Sequence, residues 1–404
     1  MARWWQDRAA LRRFVTDLVA DELARGRRSA PPRALPWPDE LDLVADLGVD
    51  SLELMALATA LAEALHLHES GIEDYLLARR SLGDWVDIAA TGLDRYSDRL
   101  TFRTSGSTGV PRPCVHALAT LTQETAHLAT LFPGRRRLLT AVPAHHVYGF
   151  LFTVLLPAQL GLPAEAVIDL RGSSPAWLAR GAQAGDLVVG HPDFWQAMAR
   201  AVPSLPPDVV GVTSTAPCRD EVAEAVLAAG LARLVQVYGA SETAGIGARS
   251  SHRDPYELFP HWRFDPHDAD RLVRALPEGG EQAMPAQDAM VACGARHFRL
   301  GARHDHAVQV AGRNVFPARV REVLLRHPAV ADASVRLMRP EEGTRHKAFV
   351  VPREAVDAPD DLLADLRGWI DRELATAERP KAIRLGAELP RSAAGKSADW
   401  ELQD

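Results

Sequence analysis

The sequence is poor in the residues that mark disulfide-rich, zinc-binding or membrane-spanning proteins. It has only three cysteines among 404 residues, and no two of them form a CxxC pair. Neither a disulfide framework nor a cysteine zinc site is therefore expected. No apolar run reaches the length of a membrane span, and the charged start does not resemble a signal peptide. These absences predict a cytoplasmic protein with no membrane contact.

Charge of one sign is not concentrated anywhere along the chain. The 46 basic and 53 acidic side chains give a net charge of -7, and both signs are scattered rather than grouped in blocks. A protein that binds nucleic acid usually carries a basic patch, so we expect no nucleic-acid partner. The length itself predicts two or three domains.

The first part of the chain, residues 1–92, is predicted to be a small helical bundle. Apolar residues recur at helical spacing over residues 5–26 and 52–65. A proline-rich connector lies between these two segments, where prolines would interrupt any helix. Shorter helices are predicted over residues 72–77 and 82–89.

Beyond residue 100 the pattern changes to alternating strands and helices. Short apolar runs are separated by helical stretches, which is typical of an α/β domain, predicted over residues 100–302. A compact α+β unit is predicted over residues 303–404. The predicted strands of the first unit are 138–142, 187–189, 209–212 and 234–237; those of the second are 307–310, 333–337 and 348–351, interleaved with helices 317–326 and 360–374.

Two segments carry residues suited to phosphate chemistry. A Gly/Ser/Thr loop follows a strand-like stretch and can direct backbone N–H groups and hydroxyls at phosphates, although flexible linkers share its composition. A second polar segment follows the apolar run 234–237, so it would lie at the carboxyl end of a strand, where open α/β sheets bind ligands. The loop comprises Thr104, Ser105, Gly106, Ser107, Thr108 and Gly109; the second segment contains Tyr238, Gly239, Ser241 and Glu242.

In this order the two segments resemble signatures of the adenylate-forming superfamily, which includes acyl-CoA synthetases, aryl acid ligases and adenylation domains. Other matching segments lie around them. For the segment 143–149, the alternative that His145 is a core histidine stays open. The resemblance implies ATP and Mg²⁺ as cofactors. The further matches are His146 and Tyr148 at the acyl pocket, Thr213, Ser214, Thr215 and Ala216 along adenine and that pocket, Asp288 and Arg303 at the ribose, Asp305 at the domain hinge, and Lys396 near the carboxyl end.

The resemblance also implies a role for each residue. The loop would hold the ATP phosphates, Ser241 would contact the α-phosphate, and Tyr238 would stack on adenine. Glu242 would bind Mg²⁺ through oxygen. Lys396 would contact carboxylate and phosphate during adenylation, so Lys396, Glu242 and His146 form the expected catalytic set. Rotation of the small carboxyl-terminal domain about Asp305 would separate two half-reactions.

The sequence departs from the family pattern in three places. Arg112 and Pro113 stand where relatives have Lys-Gly, and the stretch between Glu242 and Asp288 is short. The α/β subdomain that usually precedes the phosphate loop is missing. The predicted fold is therefore α/β, with a truncated adenylate-forming large domain and a small α+β carboxyl-terminal domain, preceded by a carrier-like helical bundle.

The segment 46–54 resembles the attachment motif of acyl carrier proteins, which implies 4'-phosphopantetheine on Ser51. A phosphodiester is favoured at a helix amino terminus by unpaired N–H groups and the helix dipole. Alternatively, Asp50 and Ser51 only cap the helix that follows. A third possibility is that a carrier-like bundle persists as structure and is never modified.

The expected function is an ATP-dependent ligase that forms an acyl-adenylate and passes the acyl group to a pantetheine thiol. The acceptor would be the arm on Ser51, a separate acyl carrier protein, or coenzyme A, and a carrier would need a phosphopantetheinyl transferase as partner. The small-molecule substrate is a carboxylic acid, predicted to be a hydroxybenzoate-type aromatic acid of the kind used in aryl polyene or polyketide pathways. The alternative is a non-catalytic scaffold or binding protein derived from such a ligase.

Overall fold

The computed structural model describes residues 3–27, 29, 33–104, 112–303, 308–310, 313–339, 342–343, 345–354, 358–390 and 399–402. Within these ranges the helices are Arg8–Arg27 (α1), Ser51–Leu65 (α2), Tyr75–Ala78 (α3), Leu82–Arg95 (α4), Leu118–Leu131 (α5), Val147–Phe150 (α6), Leu156–Gln159 (α7), Leu178–Gly181 (α8), Pro192–Ala201 (α9), Asp220–Ala228 (α10), Pro317–Leu325 (α11) and Pro359–Glu373 (α12). A π-helical turn, Leu151–Leu155, joins α6 to α7.

The strands of the same ranges are Arg99–Thr104 (β1), Arg112–Ala117 (β2), Arg137–Thr140 (β3), Val167–Asp169 (β4), Asp186–Gly190 (β5), Val210–Thr213 (β6), Arg233–Ala240 (β7), Ala244–Arg249 (β8), Tyr256–Leu258 (β9), Trp262–Phe264 (β10), Arg271–Ala275 (β11), Glu281–Pro285 (β12), Asp288–Ala292 (β13), His297–Arg303 (β14), Val308–Val310 (β15), Arg313–Val315 (β16), Val330–Leu337 (β17), His346–Pro352 (β18) and Ala382–Leu385 (β19).

The described residues fall into two compact units. The first contains the residues up to Thr104 together with Pro113–Ala302, and the second contains Arg112 and the described part of Arg303–Asp404. The amino-terminal helices therefore belong to the same unit as the large sheet. Whether residues 1–92 form a domain that folds alone stays a prediction.

A nine-stranded sheet, in the order β13-β14-β9-β8-β7-β6-β5-β3-β4, organises the first unit. Strands β4, β3, β5, β6 and β7 pair in parallel, so their carboxyl ends share one edge of the sheet. The four residues Val210–Thr213 of β6 are all buried, as expected for a parallel strand covered on both faces. Strands β8, β9 and β14 extend the sheet in antiparallel pairing.

The amino-terminal helices pack against this sheet unit through one continuous hydrophobic core. Trp4 and Phe14 each contact the ring of Phe150, with centroids 5.0 and 5.7 Å apart. The end of α2 is joined to β1, because His66 Nε2 lies 2.9 Å from Thr101 Oγ1. The helices thus pack directly on the sheet unit.

The second unit is a small α+β assembly. Strands β17 and β18 pair antiparallel and β18 pairs with β19 in parallel, with α11 and α12 contributing to a separate hydrophobic core. Lys347 is fully buried, and its ammonium donates to Glu342 (2.7 Å) and to the carbonyl of Trp400 (2.6 Å). This arrangement satisfies the buried charge.

The comparison with the predicted elements shows small differences at helix ends. Helix α1 begins at Arg8 rather than near residue 5, because a 3₁₀ turn, Trp4–Gln6, precedes it. Helix α4 continues to Arg95, beyond the stretch predicted over residues 82–89. The α/β character of the chain is confirmed. Among the residues that the structure describes, no helix is both long and apolar enough to span a membrane.

Candidate active site

The candidate site lies at the edge where the parallel strands end. Gly190 closes β5, Thr213 closes β6, and Tyr238 lies near the end of β7. The side chain of Thr213 is 1% exposed, and its Oγ1 finds no hydrogen-bond partner among the described residues. A buried hydroxyl without a partner is costly, so it marks a position where a ligand can supply the missing bond.

Tyr148 reaches this edge from the segment 143–149. Its hydroxyl lies 3.0 Å from the carbonyl oxygen of Gly190 and 3.3 Å from that of Val212, so the ring bridges β5 and β6. Burial raises the pKa of Tyr148 well above its usual value, which keeps the hydroxyl a donor. His146 precedes α6 and is exposed. The structure thus places the Tyr148 phenol on the carbonyl of Val212, the residue before Thr213, and that phenol is already engaged by backbone.

Tyr238 and Asp288 are brought together by the sheet. The hydroxyl of Tyr238 donates to Oδ2 of Asp288 at 2.7 Å, and both side chains are 8% exposed. Phe298 meets the Tyr238 ring edge to face at 5.6 Å. The bond fixes the phenol relative to the carboxylate predicted to hold the ribose.

Glu242 projects from a tight turn between β7 and β8, and its side chain is exposed. A Cβ on Gly239 would lie 2.1 Å from the carbonyl oxygen of Ala244, so only glycine fits there. Ala244 itself has φ = 58°, in the left-handed region that is unfavourable for alanine. Thr243 Oγ1 accepts from the N–H of Ala240 at 3.2 Å. The turn is strained and needs external support.

That support comes from buried side chains on other elements. His116 Nε2 donates to the carbonyl of Ser241 (2.6 Å), and Arg274 Nη1 donates to that of Thr243 (3.3 Å). Glu124 Oε1 accepts from the N–H of Gly245 at 2.9 Å. Because a carbonyl only accepts, the proton of His116 is on Nε2.

The protonation states of the side chains that support the turn are unusual. Glu124 is fully buried, and burial raises its pKa to about 8 although Arg274 and the Gly245 N–H act in the opposite direction. Burial also lowers the pKa of His116, so the imidazole is neutral near pH 7. The Arg274 guanidinium is 4.0 Å from Glu124. A mostly protonated glutamic acid and a neutral imidazole therefore brace the turn.

Sequence reasoning missed His116, Glu124 and Arg274. For Glu124 a signal exists, because it lies between Leu121 and Leu128 on the buried face of α5, where an acid is out of place. Arg274 lies within a strand of ordinary composition, and no sequence feature distinguishes it.

The other predicted residues fall into two groups. Ser214 and Ala216 are half-buried and Thr215 is exposed after β6, with Thr215 at φ = 76°. Thr104 ends β1 and Arg303 ends β14. Ser105, Gly106, Ser107, Thr108, Gly109, Asp305 and Lys396 lie outside the described residues.

The predicted nucleotide and metal roles can be compared with the donors present. Burial raises the pKa of Cys114 to about 12, and the nearby carboxylate of Glu242 acts in the same direction. Within the described ranges, no three His, Cys, Asp or Glu side chains gather as a ready-made metal site. A single carboxylate suits Mg²⁺ that arrives with phosphates and keeps its waters.

Ser51 is the first residue of α2 and is exposed. The carboxylate of Asp50 accepts from the N–H groups of Leu52 and Glu53 (2.9 and 2.8 Å). The carboxylate of Glu53 accepts from the N–H of Asp50 at 3.1 Å, which completes a capping box. Arg27 binds Glu53 and the carbonyl of Leu47. Two of the N–H groups at this helix start, those of Leu52 and Glu53, are thus already bonded by Asp50.

The structure thus combines a mixed sheet, which carries polar residues at the ends of its parallel strands, with a separate small α+β unit. Open α/β sheets of this kind bind ligands at such strand ends. Comparison with known proteins agrees. The AMP-binding enzyme family matches residues 101–267, and the AMP-binding enzyme C-terminal domain matches residues 320–396.

Curated relatives align with the chain almost end to end. A 4-coumarate–CoA ligase from Cereibacter sphaeroides is 40% identical over 98% of this chain and 97% of its own length. Another from Halorhodospira halophila is 38% identical over 95% and 97%. The chain belongs to the AMP-binding enzyme family, as an AMP-forming acid–CoA ligase, and its reduced length is shared with these relatives.

The fold is also found among solved structures. An amide bond synthetase from Marinactinospora thermotolerans matches with a TM-score of 0.61 over 96% of this chain and 92% of its own, at 18% identity. The likeness supports an adenylate-forming fold with a large amino-terminal and a small carboxyl-terminal domain, as predicted.

Proposed function

We propose that this enzyme activates a hydroxylated aromatic acid, with 4-coumarate as the first substrate to test, and transfers its acyl group to coenzyme A. The observation that carries the proposal is the 40% identity over nearly the whole of both chains to a protein named 4-coumarate–CoA ligase. A hydroxybenzoate-type acid and an aryl polyene pathway remain narrower predictions. Hydroxybenzoate lacks the vinyl group between ring and carboxylate, so a panel of acids separates the two.

The pocket geometry supports a flat, aromatic acid. Tyr148 is held by the carbonyls of Gly190 and Val212, so it offers a rigid ring rather than a polar contact. Thr213 adds a buried hydroxyl that lacks a partner among the described residues. An apolar wall with one polar group suits a phenolic ring.

In the proposed reaction, a carboxylate oxygen of the acid attacks the α-phosphorus of ATP, and the bond to pyrophosphate breaks. The thiolate of the acceptor then attacks the acyl carbon and AMP leaves. Mg²⁺ would neutralise phosphate charge next to Glu242. Ser241 and Lys396 would stabilise the charge that develops on the α-phosphate, and Tyr238 with Asp288 would orient the nucleoside. The braced turn keeps Ser241 and Glu242 in place before ATP binds.

Coenzyme A is the acceptor we favour, because the amino-terminal helices share the core of the large unit. A cis-acting carrier must travel between sites, and detaching these helices would expose Phe14 and Trp4, which are at most 5% exposed. Burial of large aromatic side chains is worth several kcal/mol in total. The capping box around Asp50 supports the same conclusion.

A phosphopantetheine arm on Ser51 is the second candidate, and the exposure of Ser51 favours it. Intact mass spectrometry after incubation with coenzyme A and a phosphopantetheinyl transferase tests it, with Ser51→Ala as the control. We expect no mass change. A gain of one phosphopantetheine in the wild type alone would make the carrier the acceptor.

The proposal is tested by product analysis. Enzyme, ATP, Mg²⁺, coenzyme A and either 4-coumarate or 4-hydroxybenzoate are incubated, and thioesters are identified by mass spectrometry. We expect 4-coumaroyl-CoA, with AMP formed in equal amount. If only 4-hydroxybenzoate gives a thioester, it replaces 4-coumarate as the proposed substrate. If no aromatic acid gives a thioester, the proposal is rejected.

A further inference from the structure

The acid-pocket segment, residues 143–149, lies between the sheet edge and the amino-terminal helix α1. On the sheet side, Tyr148 bonds to the ends of β5 and β6. On the helix side, the carboxylate of Asp17 accepts the backbone N–H of Ala144, with Oδ2 and N 2.6 Å apart. Two elements from distant parts of the chain therefore fix one short segment.

Asp17 is an unusual residue for the position that it occupies. It is 3% exposed and lies between Phe14, Val15 and Leu18 on the buried face of α1. A carboxylate in that position must be paired, and Arg171 supplies the second partner, with Nη2 2.7 Å from Oδ1. Both oxygens of Asp17 are thus engaged, one by an arginine and one by the pocket backbone.

Other contacts from the same helix reach the same segment and its continuation. Arg13 donates to the carbonyl of Thr153 at 2.6 Å, in the π-helical turn after α6. Asp21 Oδ2 lies 3.6 Å from Nε2 of His145, the neighbour of His146. Asp17 and Asp21 therefore contact the pocket segment, and Arg13, one turn before Asp17 on α1, contacts the turn that continues it.

The segment has little freedom to adjust if this support is removed. A Cβ on Gly149 would lie 1.8 Å from the carbonyl oxygen of Pro143, so the chain folds back on itself in direct contact. A shift of Ala144 would carry Pro143 and Gly149 with it and move Tyr148 relative to the sheet. Small displacements of this kind are costly in a packed site.

We infer that Asp17 is a positioning residue for acid binding, and that α1 is a built-in part of the acid site rather than part of a detachable carrier. This inference rests on the proposed function, which assigns residues 143–149 to the acid. It adds a role for the amino-terminal helices: they hold the acid-pocket segment in register with the ends of β5 and β6.

The test compares Asp17→Asn with Asp169→Asn. The carboxylate of Asp169 also pairs with Arg171, with Oδ2 2.5 Å from Nη2, but it does not accept from the N–H of Ala144. KM for 4-coumarate and KM for ATP are measured by pyrophosphate release. We expect Asp17→Asn to raise KM for the acid about tenfold, the typical effect of one charged hydrogen bond, with KM for ATP within about twofold of the wild type. Asp169→Asn should leave both near the wild-type values.

A parallel rise of both KM values, or equal effects of the two substitutions on the acid, would overturn the inference. If Asp17→Asn fails to fold, hydrogen exchange of the wild type with and without 4-coumarate and AMP replaces it. Slower exchange in both residues 143–149 and 13–21 supports the coupling, and unchanged exchange in 13–21 overturns it. Turnover of the wild type is measured first. If 4-coumarate gives none, that acid is rejected as the substrate, and the two variants are then compared with any acid that causes pyrophosphate release.

Discussion

Glu124 predicts a measurable dependence of stability on pH. Burial raises its pKa from the ordinary value of 4.5 to about 8, whereas the carboxyl of the unfolded chain ionises near 4.5. Between these two values the folded protein holds a proton that the unfolded chain has lost. The free energy of unfolding therefore decreases as pH rises through the folded pKa, and the stabilising contribution is complete only below pH 4.5.

The size of the effect follows from the same pKa. Between pH 7 and pH 9 the folded state holds on average about half a proton on Glu124, while the unfolded state holds almost none. Half a proton over two pH units corresponds to about 1.4 kcal/mol, so the contribution of Glu124 to the free energy of unfolding should fall by about 1.4 kcal/mol over this interval. Burial also raises the pKa of Cys114 to about 12 and that of Cys218 to about 11, so both thiols add a smaller loss of the same sign over this interval.

The assay is urea unfolding of wild type and Glu124→Gln at pH 7 and pH 9, followed by tryptophan fluorescence. Trp262 lies beside the site, donating to the carbonyl of Gly245 at 2.9 Å. Glutamine keeps an acceptor for the Gly245 N–H and cannot ionise, so the loss between pH 7 and pH 9 should be smaller than in the wild type by about 1.4 kcal/mol. Any fixed cost of the amide cancels in the comparison of the two pH values. The exposed Glu278, changed to Gln, is the control and should retain the wild-type loss. The same loss in Glu124→Gln as in the wild type would refute the reasoning.

Three further predictions concern the reaction. Lys396→Ala should abolish adenylate formation from ATP but spare thioester formation from supplied acyl-adenylate. The control Lys381→Ala should leave both steps intact, and normal ATP-dependent turnover in Lys396→Ala would contradict the assigned role. Tyr238→Phe removes the 2.7 Å bond to Asp288 and should raise KM for ATP roughly two- to tenfold, with KM for the acid unchanged; a change confined to the acid would reassign Tyr238. Gly239→Ala should eliminate activity and lower Tm, because its Cβ would collide with backbone, while Gly26→Ala, with nothing within 4 Å, should leave activity intact; an active Gly239→Ala enzyme would show that the turn can relax.

The secondary structure was largely predictable because it follows local periodicity. The helix predicted over residues 317–326 is observed as Pro317–Leu325, and the strand predicted over 234–237 is the centre of Arg233–Ala240. An amphipathic pattern of period 3.6 and a short apolar run before a polar turn were sufficient in these cases. The motif at Tyr238 also fell at the carboxyl end of a strand, as predicted.

The supporting residues of the site were not predictable in the same way. Asp17 and Glu124 act through backbone groups of Ala144 and Gly245, each more than 100 positions away in sequence. Each is an acid on an otherwise buried helix face, so the sequence contains a signal that something must pair with it. The identity of the partner depends on tertiary packing, which periodicity does not contain.

The amino-terminal helices illustrate the same limit. The sequence predicted a helix start at Asp50 and Ser51, and three interpretations of that start were open. The observed capping box and the shared core favour the structural interpretation. The cap formed by Asp50 leaves the Ser51 side chain exposed, so modification of Ser51 stays a prediction.

The central claim, that the chain is an ATP-dependent ligase for an aromatic acid, is tested most directly by acid-dependent AMP release. The assay uses benzoates, cinnamates and fatty acids, each with and without coenzyme A. We predict AMP release with 4-coumarate that requires coenzyme A for multiple turnovers and is far weaker with fatty acids. Release with no acid of the panel would contradict the claim and favour a scaffold protein derived from such a ligase.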